Sequence, residues 1–450
     1  MTGDEYKRAQ EAWVSDCTGG STFEVITICF SSVASHILWS SLSRANIKIS
    51  DSYWAQVLIY CLPVFACQTL AADYAHLVSI GLLTASALVY NLTSESASAS
   101  VSPLPEAKTS MFKSYLTVYR GCTMLMTCIA ILAVDFPIFP RRFAKVETFG
   151  TSLMDVGVGS FVFSSGVVAS RAYLAGNSSL SKSKALVQSF RSALPILVLG
   201  GLRLVLTRGV DYQTHTSEYG LHWNFFFTLG FLPAFVTLVS FLQRYASFGV
   251  LALTVGALYE AVLQYGLQTW ILEAPRVDLL SANKEGIFSF FGYLSIFLFG
   301  LDSGLVVFKK YKADDDRCPT GRQLIKRAVG LWIVYMAWTG TTDFAVSRRL
   351  ANGPYVLWVV AFNLSLLAAL VFVDHKSQVK GQGPSLLFAM NQNGLVTFLV
   401  ANVLTGLVNL SIRTLYCSAI VSFLVCSIYI VAVTLFPWVL WTKFQIRFKL

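Results

Sequence analysis

A carboxylate and an ammonium ten residues apart, with two prolines between them, are the first chemistry the sequence offers. The segment D135-F-P-I-F-P-R-R-F-A-K145 joins two long apolar runs. Its prolines prevent it from extending either run as a helix, so it reads as a bent loop at the membrane surface. Such a loop would hold Asp135 at a helix end and could fold Lys145 back toward it. A pair of this kind can act as general base and as stabiliser of developing negative charge. It can equally be a salt bridge that fixes the loop, with Arg141 and Arg142 as interfacial anchors. Asp155 stands inside the following apolar run beside Gly157 and Gly159. One paired acid in a close helix contact is the expected role there.

The densest polar cluster is R203-L-V-L-T-R208-G-V-D211-Y-Q-T-H215-T-S-E218-Y219-G-L-H222-W-N224. Arg203 or Arg208 could meet a phosphate, and Asp211, His215, Glu218, Tyr219, His222 and Asn224 could bind a sugar headgroup. An ordinary interfacial belt is the alternative, since Tyr and Trp favour that depth. His215 and His222 are seven apart with no HExxH spacing, so no metal site is expected. Asn391, Gln392 and Asn393 could line a polar cavity or join helices. Asn402 and Asn409 are expected to join helices by hydrogen bonds. His36 should be a buried hydrogen-bonding residue. Glu260, Lys284 and Glu285 also fall within or beside apolar runs. No G-x-S-x-G elbow or Cys/His nucleophile pattern is present, which disfavours a covalent acyl-enzyme and, if this is an enzyme, favours direct transfer.

The elements that must position these residues are membrane helices. Of 450 residues, 55% are hydrophobic and 13% charged, and the mean hydropathy is +0.61, far from the composition of a soluble globule. Apolar runs long enough to cross about 30 Å of hydrocarbon recur. They lie near 23–42, 53–71, 74–90, 115–134, 151–169, 193–207, 223–243, 246–265, 286–307, 324–341, 354–373, 386–411 and 416–441. The fold class is therefore an all-α polytopic membrane protein of about 13 transmembrane helices. Residues Met1 to Thr22 are polar and mixed in charge, so the first span is expected to be retained. The nine cysteines include no CxxC pair, which favours lipid-phase packing over zinc or disulfides.

The net charge of +10 does not point to nucleic acid, because the bases lie in loops between spans, where Lys and Arg set topology. With the N-terminus away from the cytosol, the cytosolic side holds about 21 Lys and Arg and the other side about 11. The C-terminal tail is then cytosolic, and the sequons at Asn91 and Asn177 should stay unglycosylated. The expected organisation is a lumenal segment (1–22), a three-helix membrane part (23–90), a flexible cytosolic linker (91–114), a membrane core (115–441) and a cytosolic tail (442–450). A second linker runs over 309–321 and holds the charged run Asp314 to Asp316. No internal repeat, P-loop or dinucleotide fingerprint is evident.

Four blocks carry a family likeness: DFPIFPRRFAKVETFGTSLMDVGVGSFVFSSG (135–166), RGVDYQTHTSEYGLHWNFFFTLGFLP (208–233), ANKEGIFSFFGYLSIFLFG (282–300) and NQNGLVTFLVANVLTGLVNLSI (391–412). The sequence resembles the glucosaminylphosphatidylinositol inositol acyltransferases of GPI-anchor biosynthesis, called PIG-W in animals, most clearly from about residue 115 onward. That resemblance implies an endoplasmic reticulum enzyme that moves a fatty acyl chain, usually palmitoyl, from acyl-CoA to the inositol 2-hydroxyl. It implies helices enclosing a lipid-accessible cavity, no cofactor beyond the acyl-CoA co-substrate, and membrane lipids around it. Asp135 would be the general base and Lys145 would assist at the thioester. His215, Glu218, His222 and Asn224 would recognise the headgroup. A lipid or solute transporter, or an acyltransferase with an amino-sugar acceptor, are the alternative readings.

Overall fold

The computed structural model describes residues 3–45, 47, 51–97, 113–174, 182–208, 216–309, 318–342, 345–377 and 383–448. Among the described residues the chain is all-helical, and its one strand-like contact is an isolated antiparallel bridge between Gly20 and Thr151. After α1 (Gly3–Val14), Ser21 accepts the Glu24 N–H and starts α2 (Thr22–Arg44). Helices α3 (Tyr53–Gln56) and α4 (Leu62–Gln68) form one rod through a wide turn at Val57–Cys61. Three long helices follow: α5 (Ala75–Ala97), α6 (Ser114–Ala133) and α7 (Leu153–Leu174). Next come α8 (Lys182–Arg208), the single turn α9 (Thr216–Tyr219) and α10 (Phe225–Ser240). A kink at Gly266, whose φ is +108°, separates α11 (Phe248–Val262) from α12 (Gln268–Glu273).

The short α13 (Leu279–Ala282), capped by Asp278, leads into α14 (Lys284–Val307). Pro319 opens α15 (Pro319–Thr341), where its missing N–H costs nothing. The bundle closes with α16 (Gly353–Ser377), α17 (Ser385–Gln392), α18 (Gly394–Ser411) and α19 (Ala419–Thr442).

Among the described residues, ten helices are long and apolar enough to cross a membrane, which makes this a multi-pass helical membrane protein. Tyr53–Gln68 and Phe225–Ser240 are apolar but shorter. Helix α15 has the length, yet Arg322, Lys326 and Arg327 dilute its first half, and it falls outside the ten. Several sequence boundaries move. The run at 193–207 belongs to a 27-residue helix that begins at Lys182, so Arg203 lies near its end rather than interrupting a short span. The run at 386–411 is two helices broken at Asn393 (φ −117°, ψ 37°), because hydropathy does not register a break between apolar stretches. Helix α5 continues through Asn91 to Ala97, so the first seven residues of the expected linker are helical. The rest of that linker through 112, and most of the second (310–317), lie outside the described residues.

Helices α14 and α16 are enclosed by their neighbours, whereas α8 turns Val187, Leu194, Val198, Leu202 and Val205 outward, as lipid-facing helices do. Close crossings depend on missing side chains. A Cβ on Gly166 would meet the Phe297 carbonyl at 2.2 Å, and one on Gly300 would meet the Phe163 carbonyl at 2.2 Å, so α7 and α14 touch backbone to backbone. Of the two glycines near Asp155, Gly159 is packed by the Val359 side chain, 2.6 Å from where a Cβ would stand, and Gly157 has no neighbour that close. His36 is fully buried between Tyr60 (2.9 Å) and Asp374 (3.0 Å), as its position suggested.

Candidate active site

The loop between α6 and α7 is a series of tight turns. Backbone bonds run from Phe136 to Ala133, Phe139 to Phe136, Phe143 to Pro140 and Ala144 to Arg141. Phe136, Phe139 and Phe143 are fully buried and anchor these turns, which leaves Asp135 and Lys145 at the two ends of the anchored stretch. Neighbouring segments are stitched to the same loop: Gly20 N–H donates to Thr151 O at 2.8 Å, Glu147 N–H to Cys17 O at 3.0 Å, and Gly150 N–H to Val346 O at 2.8 Å.

These segments surround one cavity of about 770 Å³. Asp135, Lys145, Arg203, Glu218, Tyr219, Arg348, Asn402 and Asn409 provide its polar wall. Met126, Phe161, Phe225, Phe362, Leu366 and Phe398 provide apolar surface, so a chain with a polar head would be solvated along its whole length. Helix α1 adds Tyr6, Lys7, Gln10 and Trp13. Trp13 donates its indole N–H to the Val134 carbonyl at 3.2 Å, and Arg141 lies over the Trp13 ring at 4.7 Å. Arg142 reaches Glu24 at 2.7 Å and Asp73, which ties the loop to the N-terminal helices. Both arginines are thus anchors.

Asp135 and Lys145 share the cavity, but they are not ion-paired to each other. Lys145 Nζ lies 2.8 Å from Glu218 Oε1, and the Asp135 carboxylate accepts the Asn409 amide N–H at 2.8 Å. The hairpin contact expected from spacing is therefore replaced by two separate ones. Burial pushes the Asp135 carboxyl from 3.8 up to about 6, opposed by the Asn409 hydrogen bond and by the charges of Arg141 and Lys145. That places it close to the range a general base needs near neutral pH. Burial also pushes the Tyr219 phenol well above its ordinary value, which keeps it a neutral donor at the wall.

Arg348 is the residue the sequence did not flag. It is buried, with Nε 2.7 Å from Asp155 Oδ1 and Nη2 3.7 Å from Glu218 Oε1. Asp155 also accepts the Ser152 hydroxyl at 2.7 Å and the Val146 N–H at 3.2 Å, so the paired acid expected in α7 fixes the backbone next to Lys145. Asn352 holds the Arg348 loop by accepting the Ser347 and Tyr355 N–H groups and donating to the Ala345 carbonyl. Lys145, Glu218 and Arg348 thus alternate in charge along one wall, with Asp155 buried behind Arg348. Two arginines in S-R-R-L, set between apolar runs, were the only hint.

Other sequence candidates fall elsewhere. Arg203 lines the cavity. Arg208 ends α8, and its side chain, like Asp211 and His215, lies outside the described residues. His222 contacts Asn283 through its backbone N–H at 2.7 Å and is not in the cavity wall. Asn224 caps α10 through the Phe226 N–H at 3.0 Å and donates to the Gly200 carbonyl at 3.0 Å, so it is structural. Asn393, at the start of α18, is about 24 Å from Asn409 along that helix, and Asn391 lies just before it at the end of α17, so both are at the other end of the bundle. Asn409, expected only to join helices, does join α18 to the loop, and its target is Asp135.

The sequence comparisons agree on one family. A family model described as GWT1 matches residues 6–440, so the likeness includes the N-terminal part as well as the core. The GPI-anchored wall transfer protein 1 of Gibberella zeae is 40% identical over 483 residues, covering 95% of this chain and 96% of the relative. That of Yarrowia lipolytica is 45% identical over 358 residues, covering 75% and 74%. That of Saccharomyces cerevisiae is 36% identical over 467 residues, covering 94% and 95%. With a match across nearly its whole length and relatives of this similarity, the chain belongs to the GWT1 family.

Proposed function

We propose that this protein acts in GPI-anchor biosynthesis in the endoplasmic reticulum membrane. It transfers a fatty acyl chain, palmitoyl in the simplest case, from acyl-CoA to the inositol 2-hydroxyl of glucosaminylphosphatidylinositol. The observation that carries the reading is Asp135 and Lys145 on one cavity with long apolar walls, Asp135 being held at about 6. Asp135 takes the inositol hydroxyl proton as the oxygen attacks the thioester carbonyl. Lys145 stabilises the oxyanion, the carbon–sulfur bond breaks, and the departing CoA thiolate takes up the proton held by Asp135, which restores the carboxylate. Asn409 orients the Asp135 carboxylate. Glu218, held by Lys145 and Arg348, and Tyr219 face the sugar, and Arg203 faces the phosphodiester. No cofactor beyond the acyl-CoA co-substrate enters this scheme.

Thirteen crossings belong to the same reading: the ten long apolar helices, the two shorter ones and α15. Parity supports the odd number, because α1 lines the cavity at the Asp135 end while the tail after the last helix is bound by Asn393, at Ile446 and Phe448, at the other end. The N-terminus and the Asp135 end are then lumenal, and the C-terminus and most loop bases cytosolic. Mass spectrometry of glucosaminylphosphatidylinositol incubated with purified protein and palmitoyl-CoA tests the reaction. One palmitoyl ester on the inositol is expected. Modification of the glucosamine nitrogen, or lipid movement without thioester consumption, would replace it with another function.

A further inference from the structure

One acid in the cavity wall has no answering group among the described residues. Three carboxylates of those residues line the cavity: Asp135, Glu147 and Glu218. Asp135 accepts the Asn409 amide, and Glu218 lies between Lys145 and Arg348. The Glu147 carboxylate makes no hydrogen bond or ion pair among the described residues. Its backbone, by contrast, is pinned. The Glu147 N–H donates to the Cys17 carbonyl at 3.0 Å, the Val146 N–H to Asp155 Oδ2 at 3.2 Å and the Gly150 N–H to the Val346 carbonyl at 2.8 Å. Val146 is buried, close to where a Cβ on Gly19 would stand. A free carboxylate is therefore presented from a fixed support.

Glu147 stands two residues beyond Lys145, so their α-carbons are at most about 7 Å apart. Lys145 is half-buried and Glu147 exposed, which puts Glu147 on the more open side of the catalytic pair. The acceptor in the acyl-transfer reading is ordered along its length: lipid chains, a phosphodiester anion, the inositol that receives the acyl group, then a sugar bearing a primary amine. With the chains on the apolar wall and the inositol at Asp135, that amine lies one sugar beyond the reacting ring, away from the lipid. A protonated amine calls for a carboxylate. Glu218 is already engaged by two cations, and Asp135 must keep its lone pairs for the hydroxyl proton. Glu147 is the acid that remains.

We infer that Glu147 is the residue that selects the acceptor's amine: its carboxylate pairs with the glucosamine ammonium and so sets the inositol hydroxyl against Asp135. The inference rests on the acyl-transfer reading above and adds to it a residue that recognises charge. Pairing also favours the protonated amine. A nitrogen whose lone pair holds a proton does not compete with the inositol oxygen for the thioester. An N-acetylated sugar carries no such charge and leaves the carboxylate unanswered. One charge-assisted hydrogen bond corresponds to about tenfold to a hundredfold in affinity.

The test uses full-length protein in neutral detergent and two acceptors, glucosaminylphosphatidylinositol and its N-acetylated form, each with palmitoyl-CoA. Wild type should prefer the free amine in kcat/KM. Glu147→Gln, an exposed change of nearly equal size, should raise the KM for the amine-bearing acceptor roughly tenfold or more, with the KM values for the N-acetylated acceptor and for the donor held. Glu273→Gln removes an exposed acid outside the cavity wall and is the control, which should change neither acceptor. A wild-type preference in folded Glu147→Gln overturns the inference. So does an equal loss on both acceptors, which would make Glu147 a support of the loop. If wild type moves no acyl chain to either lipid, the acyl-transfer reading falls, and native mass spectrometry of the two bound lipids still decides the site. Weakening of the amine-bearing lipid alone in Glu147→Gln keeps it, and unchanged binding of both removes it.

Discussion

At the Asp135 end of the bundle acids and bases alternate: Lys145 with Glu218, Glu218 with Arg348, Arg348 with Asp155. At the other end, Asn393 holds the backbone on both sides of Arg447, and among the described residues no carboxylate pairs with Arg120 or Arg447. Both ends keep charge in or near a low-dielectric bundle, where an uncompensated ion is costly. The first end is compensated from within, so its geometry exists before any ligand arrives. The second is not compensated in this way among the described residues. On the acyl-transfer reading, the compensated end is the one whose groups have to be preorganised.

The largest effect should come from removing the one acid at the first end that is hydrogen-bonded but not ion-paired. Asp135→Asn should lower the acylation rate by about 10²–10⁴, read by product mass spectrometry on purified protein, and Lys145→Ala should fall in the same range. Near-normal turnover by either variant removes that residue from the mechanism. Stability should move the other way for Asp135→Asn. A carboxyl raised from 3.8 to about 6 destabilises the fold as pH rises through that window, fully above about 6 and not below about 3.8. At pH 7 the Asn variant should therefore melt higher, by at most roughly 3 kcal/mol, with the gain fading toward acid pH.

Breaking internal compensation should come next. Arg348→Met leaves Asp155 buried and unpaired, which should cost roughly 3–5 kcal/mol and lower Tm markedly. The double variant with Asp155→Asn should recover much of that loss, because the orphan charge is gone. Equal Tm for single and double variants would mean the pair is not the source of stability. Arg447→Gln at the other end, by contrast, removes repulsion and should leave Tm unchanged or higher.

Much of the fold was legible in advance because hydropathy reports burial in lipid directly. The D135–K145 loop was legible because two prolines forbid helix. What pairs with what was not. Asp155 and Arg348 lie 193 positions apart, and nothing local in either neighbourhood names the other. Lys145 was assigned to Asp135 by proximity in sequence, whereas a side chain contributed by the α8–α10 connection lies nearer in space. Asn393 escaped for a similar reason: an amide between two apolar helices reads as wall polarity, and only the folded tail reveals that it holds Arg447. Helix α1, read as a polar leader to the first span, lines the cavity because Trp13 and Tyr6 give it an apolar side.

The smallest expected effect sharpens the comparison most, because it separates positioning from support. Asn409 donates to Asp135 and so favours its ionised form. Asn409→Ala removes that bond, and the Asp135 pKa must rise above its present value of about 6. A hydrogen bond to a charged group at the lower end of its usual worth corresponds to about one pH unit. The acid limb of kcat/KM should accordingly move to higher pH by about that much, with the rate approaching wild type in alkaline buffer. Asn409→Asp should depress activity across the range, since a second carboxylate beside the first disfavours ionisation of both. If Asn409 served only to join α18 to the loop, its loss would lower Tm and scale the profile down without moving the limb. The Arg120 end predicts no such shift for its own variants, because they leave the Asn409 hydrogen bond to Asp135 in place. A limb that moved with Arg447→Gln would mean that the two ends are coupled rather than divided.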